Sequence, residues 1–257
     1  MLIFLNKQGY LEDNLTLYNK NELNSRIINF ISTFPNYSYH EYNRQLKETN
    51  ICIIGLGTAG SHIVELLVKM EFKNLTLIDH DIVQTKNICS QNYIKNDVGK
   101  FKVEAINKKI SKIKEHNTKF FCKKISNYSE LKKTLNLNNI NFLIISADDF
   151  YLTIDILENI FIEFPSIKII QTGYSLLNIQ LCVINYTNYK EYLKQIKDSL
   201  QTYKVLDEII IANTGSILDS YFIAFFATKI ILDYTIYNQC DSIFSFDYLT
   251  NTLKKSK

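Results

Sequence analysis

A glycine-rich turn between two short apolar runs places the strongest constraint on how this chain can fold. The apolar residues 51–54 lead directly into a G-x-G-x-x-G turn, and a second apolar run, residues 75–78, ends at Asp79, a gap of about 20 residues after the turn. The three glycines of the turn are Gly55, Gly57 and Gly60. This order predicts strand, turn, helix, strand and acid, the arrangement of a Rossmann-type nucleotide site. There, phosphate approaches the backbone at a helix N-terminus, and the acid accepts from ribose hydroxyls.

Further short motifs follow the turn in a fixed order. They are Asp79-x-Asp81, the stretch 87–91 from Asn87 to Gln91, the stretch 99–104 with Gly99, Lys102 and Glu104, and Asp148 in the stretch 146–149. Together with the turn they resemble the ubiquitin-activating-enzyme-like adenylyltransferase superfamily, and within it the microcin C peptide-adenylating type. The superfamily pattern reads D-x-D, then N-L-x-R-Q, then G-x-x-K-V/A-E, then an aspartate after the fourth strand. The resemblance is specific over residues 51–174.

The resemblance implies that this chain binds ATP and Mg²⁺. Asp79 would bind the ribose, and Asp81 would lie beside it in the nucleotide site. The residues that would cradle the ATP phosphates are Gly55, Gly57 and Gly60.

The resemblance also implies that three more residues interact with the phosphates or the magnesium ion. Asn87 and Lys102 would contact phosphates, and Asp148 would hold the magnesium ion. A carboxylate that attacks the α-phosphate approaches a polyanion, so cations and backbone N–H groups must offset the repulsion and the charge of the transition state. Lys102 and Asp148 are therefore predicted catalytic residues.

The chain departs from the superfamily pattern at a cationic position. Ser90 stands where the pattern has arginine. A second superfamily arginine lies upstream of the first strand and reaches into the neighbouring subunit's site; Arg44 is the matching candidate, against the simpler interpretation of an exposed basic residue. If Arg44 has no such role, Lys86 or Lys100 would have to replace the missing charge.

The cysteines show no metal-ligand spacing. Many members of the superfamily bind a structural zinc through paired C-x-x-C motifs, whereas here the cysteines are scattered singly, so no zinc is expected. Cys182 and Cys240 are candidates for a catalytic thiol, but Cys182 falls inside an apparent strand, which favours a small core residue. Asp149 either assists Asp148 with the metal or caps the next helix.

The whole-chain numbers fit a cytoplasmic enzyme. With 257 residues, the chain suits one α/β domain, residues 46–257, preceded by an appendage of unclear role, residues 1–45. A net charge of +3 argues against strong nucleic-acid binding. Scattered cysteines indicate a reducing compartment. The apolar stretch 216–234 contains charged residues, so a buried helix is favoured over a membrane span.

The predicted fold is a Rossmann-like, mostly parallel sheet with helices on both faces, continued by antiparallel strands. A short strand is predicted at residues 2–5. A helix is predicted at 99–116, because apolar residues recur there at spacings of three and four, and another helix is predicted at 151–161, between two strands. Further strands are predicted at 119–125, 141–146, 168–172, 178–185 and 242–249.

These observations favour a homodimeric ATP-dependent adenylyltransferase that acts on the C-terminal carboxylate of a peptide or small carrier protein. Three alternatives remain. The first is an enzyme like the tRNA threonylcarbamoyladenosine dehydratases, which would be expected to have a basic surface. The second is a non-catalytic nucleotide- or peptide-binding scaffold, which Ser90 favours. The third is an NAD-dependent oxidoreductase, against which the motifs from Asp79 to Glu104 argue.

Overall fold

A single twisted sheet organises the chain in this computed structural model, which describes residues 23–174, 178–206, 215–239 and 243–256. Within these ranges the sheet has eight strands in the order β3-β2-β1-β4-β5-β6-β7-β8. The strands are β1 (Asn50–Ile54), β2 (Asn74–Ile78), β3 (Asn117–Phe121), β4 (Phe142–Ile145), β5 (Lys168–Tyr174), β6 (Asn178–Ile184), β7 (Ile243–Asp247) and β8 (Thr252–Ser256). The first five pair in parallel, and β5 to β8 pair antiparallel.

Helices cover both faces of this sheet. They are α1 (Ser25–Ile31), α2 (Tyr39–Glu48), α3 (Gly60–Lys69), α4 (Lys102–Ile110), α5 (Tyr128–Thr134), α6 (Phe150–Glu163), α7 (Tyr189–Leu206) and α8 (Ile217–Tyr237). Alternate residues of each central strand point to opposite faces. In β1, Ile51 and Ile53 pack into the core beneath α2, α3, α4 and α8, whereas Cys52 and Ile54 pack into the core beneath α5 and α6. Because both faces are buried, residues 51–54 of β1 form a continuous apolar run.

The strand order reverses between β1 and β4. The chain moves outward from β1 through β2 to β3, then returns to the other side of β1 to form β4. In open α/β sheets, ligands bind at the carboxyl ends of the strands at such a reversal. The glycine turn follows β1 and residues 146–149 follow β4, so the fold brings both segments to this point.

The predicted fold class is confirmed: a mostly parallel sheet with helices on both faces and antiparallel strands at its C-terminal side. Several predicted boundaries were wrong. The helix predicted at residues 99–116 begins only at Lys102, because Gly99 has a φ of 89° and residues 99–101 form a short ribbon against Asp81–Val83. The strand predicted at 119–125 is β3, which ends at Phe121.

Five elements were not predicted: the helices α1, α2, α5 and α7 and the strand β8. The polar, tyrosine-rich stretch after β6 forms the long helix α7, and a last edge strand, β8, follows β7. The apolar stretch 216–234 forms α8, which buries residues such as Ile223 and Ile230 against the sheet, as expected. Within the described residues, no helix has the length and apolar character needed to cross a membrane.

The N-terminal helices pack onto the main core. Tyr42 and Leu46 of α2 are buried in the core beneath α3 and α8, and the Tyr42 hydroxyl donates to the carbonyl of Met70 at 2.7 Å. Helix α2 runs through residue 45, the predicted limit of the appendage. The strand predicted at residues 2–5 lies outside the described residues, and the division of the chain at this point stays a prediction.

His62 gives the packing of α3 on α8 a pH dependence. Its ring centroid lies 4.9 Å from that of Tyr221, and its Nε2 is buried without a hydrogen-bond partner among the described residues. Burial lowers the pKa of His62, and the opposing effect of Glu65 does not cancel this. The unfolded chain therefore binds a proton at His62 more readily than the folded state does. As a result, stability that is present above pH 6.5 is lost as the pH falls below this value.

We expect His62→Gln to remove part of this acid sensitivity. The free energy of unfolding of the wild type should fall more steeply between pH 7 and pH 5 than that of the variant, as measured by urea denaturation across that range. Parallel curves for the two proteins would contradict the assignment.

Candidate functional site

A cleft of about 990 Å³ lies at the carboxyl end of the parallel strands, where the strand order reverses. Its walls come from the loops that follow β1, β2, β3 and β4, from the ends of β5 and β6, and from α7. The structure thus brings together residues that are far apart in the chain. The predicted site residues that line the cleft are Gly55, Gly57, Asp79, Asp81, Asn87, Lys102 and Asp148.

The three glycines of the turn have different structural requirements. Gly55 has a φ of 90°, and a Cβ there would lie 2.8 Å from the backbone nitrogen of Ala147. A Cβ on Gly60 would lie 1.9 Å from the carbonyl oxygen of Gly55, so the start of α3 packs directly on the turn. Gly57 faces open space, and the nearest atom that a Cβ there would meet is Gln91 Nε2 at 3.9 Å. Gly55 and Gly60 therefore shape the turn, and Gly57 leaves room for a ligand.

Asp79, the residue directly after β2, fixes the glycine turn through its carboxylate. One carboxylate oxygen accepts from the backbone N–H of Leu56 at 2.6 Å, and the other accepts from the backbone N–H of Asp81 at 2.7 Å. The residue is only 6% exposed, yet it lines the cleft. The sequence motif suggests a role for Asp79 at the ribose alone, but in the structure this residue also fixes two loops.

Asp81 and Lys102 form a pair beside it. The Lys102 Nζ lies 2.8 Å from Asp81 Oδ2, and the Lys102 backbone N–H donates to the Asp81 carbonyl at 2.9 Å. The lysine side chain is 7% exposed and the aspartate side chain 50%. Partial burial raises the pKa of Asp81, but the hydrogen bond and charge of Lys102 outweigh it, so the pKa lies below its ordinary value. Lys102 is thus held, charged and nearly buried, at the cleft wall.

Asn87 lies in the short 3₁₀ turn Thr85–Cys89. Its Oδ1 accepts from the Gln84 backbone N–H at 2.7 Å, which leaves its amide N–H₂ without an acceptor among the described residues. Ser90 is buried and is not one of the residues that line the cleft; its carbonyl accepts from the Ser220 hydroxyl at 2.6 Å. Gln91 lines the cleft, and its Oε1 is buried without a partner in the described part of the chain.

The acids after β4 have separate environments. Asp148 is exposed at the cleft and forms no hydrogen bond or ion pair with any residue that the structure describes. Asp149 also lines the cleft, but its Oδ1 accepts from the Leu152 backbone N–H at 2.9 Å, so it is the N-cap of α6. Of the two alternatives for Asp149, the helix cap is the one observed.

Oxygen ligands for a cation occur at two places in the cleft. Asp148 offers a free, exposed carboxylate, which suits Mg²⁺ because this ion is usually bound by one or two carboxylates together with phosphates and water. Asp79, His80 and Asp81 can also bring ligand atoms within 4.8 Å of one another. Asp79 and Asp81 are already engaged by backbone N–H groups and Lys102, so Asp148 fits the ion better.

The predicted cations differ in position. Lys86 lines the cleft, whereas Lys100 does not and pairs with Asp97 at 3.1 Å. Arg44 lies on α2, which leads into the amino end of β1, opposite the cleft. Its side chain is 65% exposed and lies 3.8 Å from Glu41. Arg44 is therefore not part of the cleft of its own chain.

Lys123 and Lys124 also line the cleft, although no role is predicted for them from the sequence. The prediction placed both inside a strand extending to residue 125. In the structure, β3 ends at Phe121, so the two lysines follow the strand at the carboxyl edge of the sheet. The signal that could have found them is their position just after an apolar strand end, as for Asp79 and Asp148.

The wall of the cleft that is formed by β5, β6, β7 and α7 is polar and uncharged. Its residues include Thr172, Asn178, Gln180, Cys182, Tyr192 and Ser245. Cys182 lies within β6 and is buried, and burial raises the pKa of its thiol to about 11. This agrees with a structural thiol rather than a nucleophile. Cys240 lies outside the described residues.

Comparison with known families agrees with this geometry. The profile of the ThiF family matches residues 31–257, which is most of the chain. The chain belongs to the ThiF family.

Solved structures of other proteins share the fold of this ThiF-family chain. E. coli MccB crystallised with AMPCPP and a selenomethionine form of MccA has a TM-score of 0.80 at 17% identity, covering 100% of this chain and 76% of MccB. E. coli MccB with ATP has a TM-score of 0.79 at 16% identity, with the same coverage. PaaA has a TM-score of 0.69 at 18% identity, covering 100% of this chain and 80% of PaaA.

A curated relative matches over a shorter stretch. The tRNA threonylcarbamoyladenosine dehydratase of Haemophilus influenzae is 36% identical over 70 residues. This stretch is 27% of this chain and 27% of the dehydratase, so the match spans about a quarter of that enzyme.

The different surroundings of Gly57 and Gly60 lead to a paired prediction. Gly60→Ala should lower the free energy of unfolding by about 1–3 kcal/mol, because its Cβ would overlap the Gly55 carbonyl. Gly57→Ala should leave stability within about 1 kcal/mol of wild type and should weaken nucleotide binding, because the methyl group occupies the approach to the backbone. Denaturation and calorimetric titration with ATP measure the two effects; equal stability loss in both variants would contradict this description of the turn.

Proposed function

We propose that this ThiF-family protein catalyses the ATP-dependent adenylation of a C-terminal carboxylate of a peptide or small carrier protein. A carboxylate oxygen of the acceptor forms a bond to the α-phosphorus, the α–β phosphoanhydride bond breaks, and acyl-adenylate and pyrophosphate are produced. The observation that carries this proposal is the convergence of the glycine turn, Asp79, Lys102 and Asp148 on one cleft.

The arrangement supports a division of roles for the nucleotide. The open side of Gly57 and the N-terminus of α3 would receive phosphate, since helix N-termini carry unpaired N–H groups and a positive dipole end. Asp79 would accept from the ribose through its remaining lone pairs. The free amide N–H₂ of Asn87 and the ammonium group of Lys102 would donate to phosphate oxygens.

Asp148 would hold Mg²⁺ in this proposal, because its carboxylate is exposed at the cleft and unpaired among the described residues. When bound, the ion would neutralise phosphate charge as a Lewis acid. The rigidly held Lys102 would add a second positive charge without the cost of reorganising a flexible side chain.

The acceptor would lie against the uncharged wall formed by Thr172, Gln180, Tyr192 and Ser245. A wall without fixed negative charge does not repel an incoming carboxylate, which must reach the α-phosphate without losing its own charge. The structurally similar MccB has been crystallised with MccA, which favours a peptide as the acceptor here. The proposed setting is a homodimer in the cytoplasm, with neither membrane nor nucleic acid as a partner.

The match to the Haemophilus influenzae dehydratase favours a second candidate function, activation of a carboxylate on a nucleoside in tRNA. This function would require a broad basic surface for RNA, and a net charge of +3 gives little support to one. Pyrophosphate exchange stimulated by modified tRNA, and not by peptides, would decide for this candidate.

A non-catalytic scaffold is the third candidate, because Ser90 is buried and adds no charge to the cleft. The exposed, unpaired Asp148 argues for catalysis instead, since a scaffold has no need of a free carboxylate beside a phosphate site.

The role of Asp148 is tested by ATP–pyrophosphate exchange with candidate peptides. Asp148→Asn should lower exchange at least about 100-fold, because the metal ligand is lost while the exposed position leaves the fold intact. Glu115→Gln, which changes an exposed acid outside the cleft, is the matched control and should exchange like the wild type. Undiminished exchange in Asp148→Asn, with wild-type stability, would remove Asp148 from the site.

Mixing variants tests whether Arg44 acts on a neighbouring subunit. Arg44 lies outside its own cleft, so any contribution has to come from a second copy. Arg44→Ala and Asp148→Asn should each be inactive alone. An equal mixture should recover about a quarter of wild-type activity, because half of its dimers are mixed and each of these has one intact site out of two. If the mixture stays inactive although both variants fold and dimerise, Arg44 has no catalytic role.

A further inference from the structure

The charged groups that line the cleft are unevenly available to a ligand. Among the described residues they include four lysines, Lys86, Lys102, Lys123 and Lys124. Lys102 is paired with Asp81 at 2.8 Å, and the Lys123 ammonium donates to the Thr134 hydroxyl at 3.2 Å. Lys86 and Lys124 form no hydrogen bond or ion pair through their ammonium groups with any residue that the structure describes. Their positive charges are therefore available to a ligand.

Lys124 has a second feature that Lys86 lacks. Its charge acts on Asp81, the same carboxylate that pairs with Lys102. Asp81 is thus influenced by lysines from two elements: Lys102 at the start of α4 and Lys124 in the loop that follows β3. Asp79 lies beside Asp81 and also lines the cleft, so Lys102 and Lys124 balance two negative charges at this wall.

We propose that Lys124 is a nucleotide-contacting residue that interacts with the phosphates of ATP from the β3 side of the cleft. This inference rests on the proposed function, because it takes ATP as the ligand. Lys124 is exposed at the cleft and unpaired among the described residues, so its long side chain can reach the ligand without breaking an existing contact. Lys102, in contrast, is already paired with Asp81. Asp81 keeps the two lysines from repelling each other before the nucleotide arrives.

The experiment compares nucleotides that differ only in phosphate. Calorimetric titration with ATP, AMP and adenosine is carried out on the wild type, Lys124→Ala and Lys124→Arg. Lys119→Ala is the matched control, since Lys119 is an exposed lysine on β3 that does not line the cleft. We expect Lys124→Ala to weaken ATP binding about ten-fold, the effect of losing one charge-assisted contact, and to leave adenosine binding unchanged.

Two further readouts distinguish a phosphate contact from a structural role. Lys124→Arg should keep most of the ATP affinity, because the positive charge remains, and the difference between wild type and Lys124→Ala should shrink at high salt. Equal ATP affinity in Lys124→Ala and Lys119→Ala would overturn the assignment of Lys124. So would an equal loss for ATP and adenosine.

The same titrations separate this inference from the proposed function. If the wild type binds ATP and Lys124→Ala binds it equally well, only the role of Lys124 is wrong. If the wild type binds none of the three nucleotides, the proposed function fails, and the inference about Lys124 fails with it.

Discussion

The carboxylate of Asp79 is the interaction on which the site depends. It accepts from the backbone N–H of Leu56 at 2.6 Å and from that of Asp81 at 2.7 Å, so it joins the turn after β1 to the loop after β2. A buried carboxylate is stable only when donors surround it, and these are backbone groups whose positions the strands fix. This link positions the glycine turn and Asp81. Asp81 in turn pairs with Lys102 at the start of α4.

Much of this architecture could be predicted because it depends on local patterns. A continuous apolar run such as residues 51–54, bounded by a glycine turn, is typical of a strand buried on both faces. The G-x-G-x-x-G spacing favours the tight turn that joins a strand to a helix in nucleotide sites. The cleft residue Asp79 was found because it follows such a strand at the expected distance from the turn, and Asp148 because it matches the superfamily's aspartate after the fourth strand. What they bind stays a prediction, since nothing in the sequence or the fold tests it.

The missed features depend on contacts that a linear pattern does not reveal. β3 is an edge strand with mostly exposed residues, and the prediction extended it past its apolar end at Phe121 to residue 125, so Lys123 and Lys124 were placed inside it. Helix α7 was missed because its sequence is polar; it is held in part by packing against α6, for example through Phe161 and Tyr189 with ring centroids 4.9 Å apart. The contact by which Asp79 fixes the glycine turn was missed because it depends on the three-dimensional position of Leu56.

The central pairing of β1 with β4 has a consequence for how the protein is made. The Asn50 backbone N–H donates to the side chain of Asn141, 91 residues further along the chain. Gly55 packs so closely against the backbone of residues 146–147 that a Cβ would not fit there. A ribosome must therefore release the chain at least as far as β4 before the wall of the cleft beside Gly55 can exist, since β4 completes it. Nascent chains that stall earlier would carry the glycine turn but no cleft, so a ligand of the cleft could not act as a template for early folding and would stabilise only chains whose β4 has already docked.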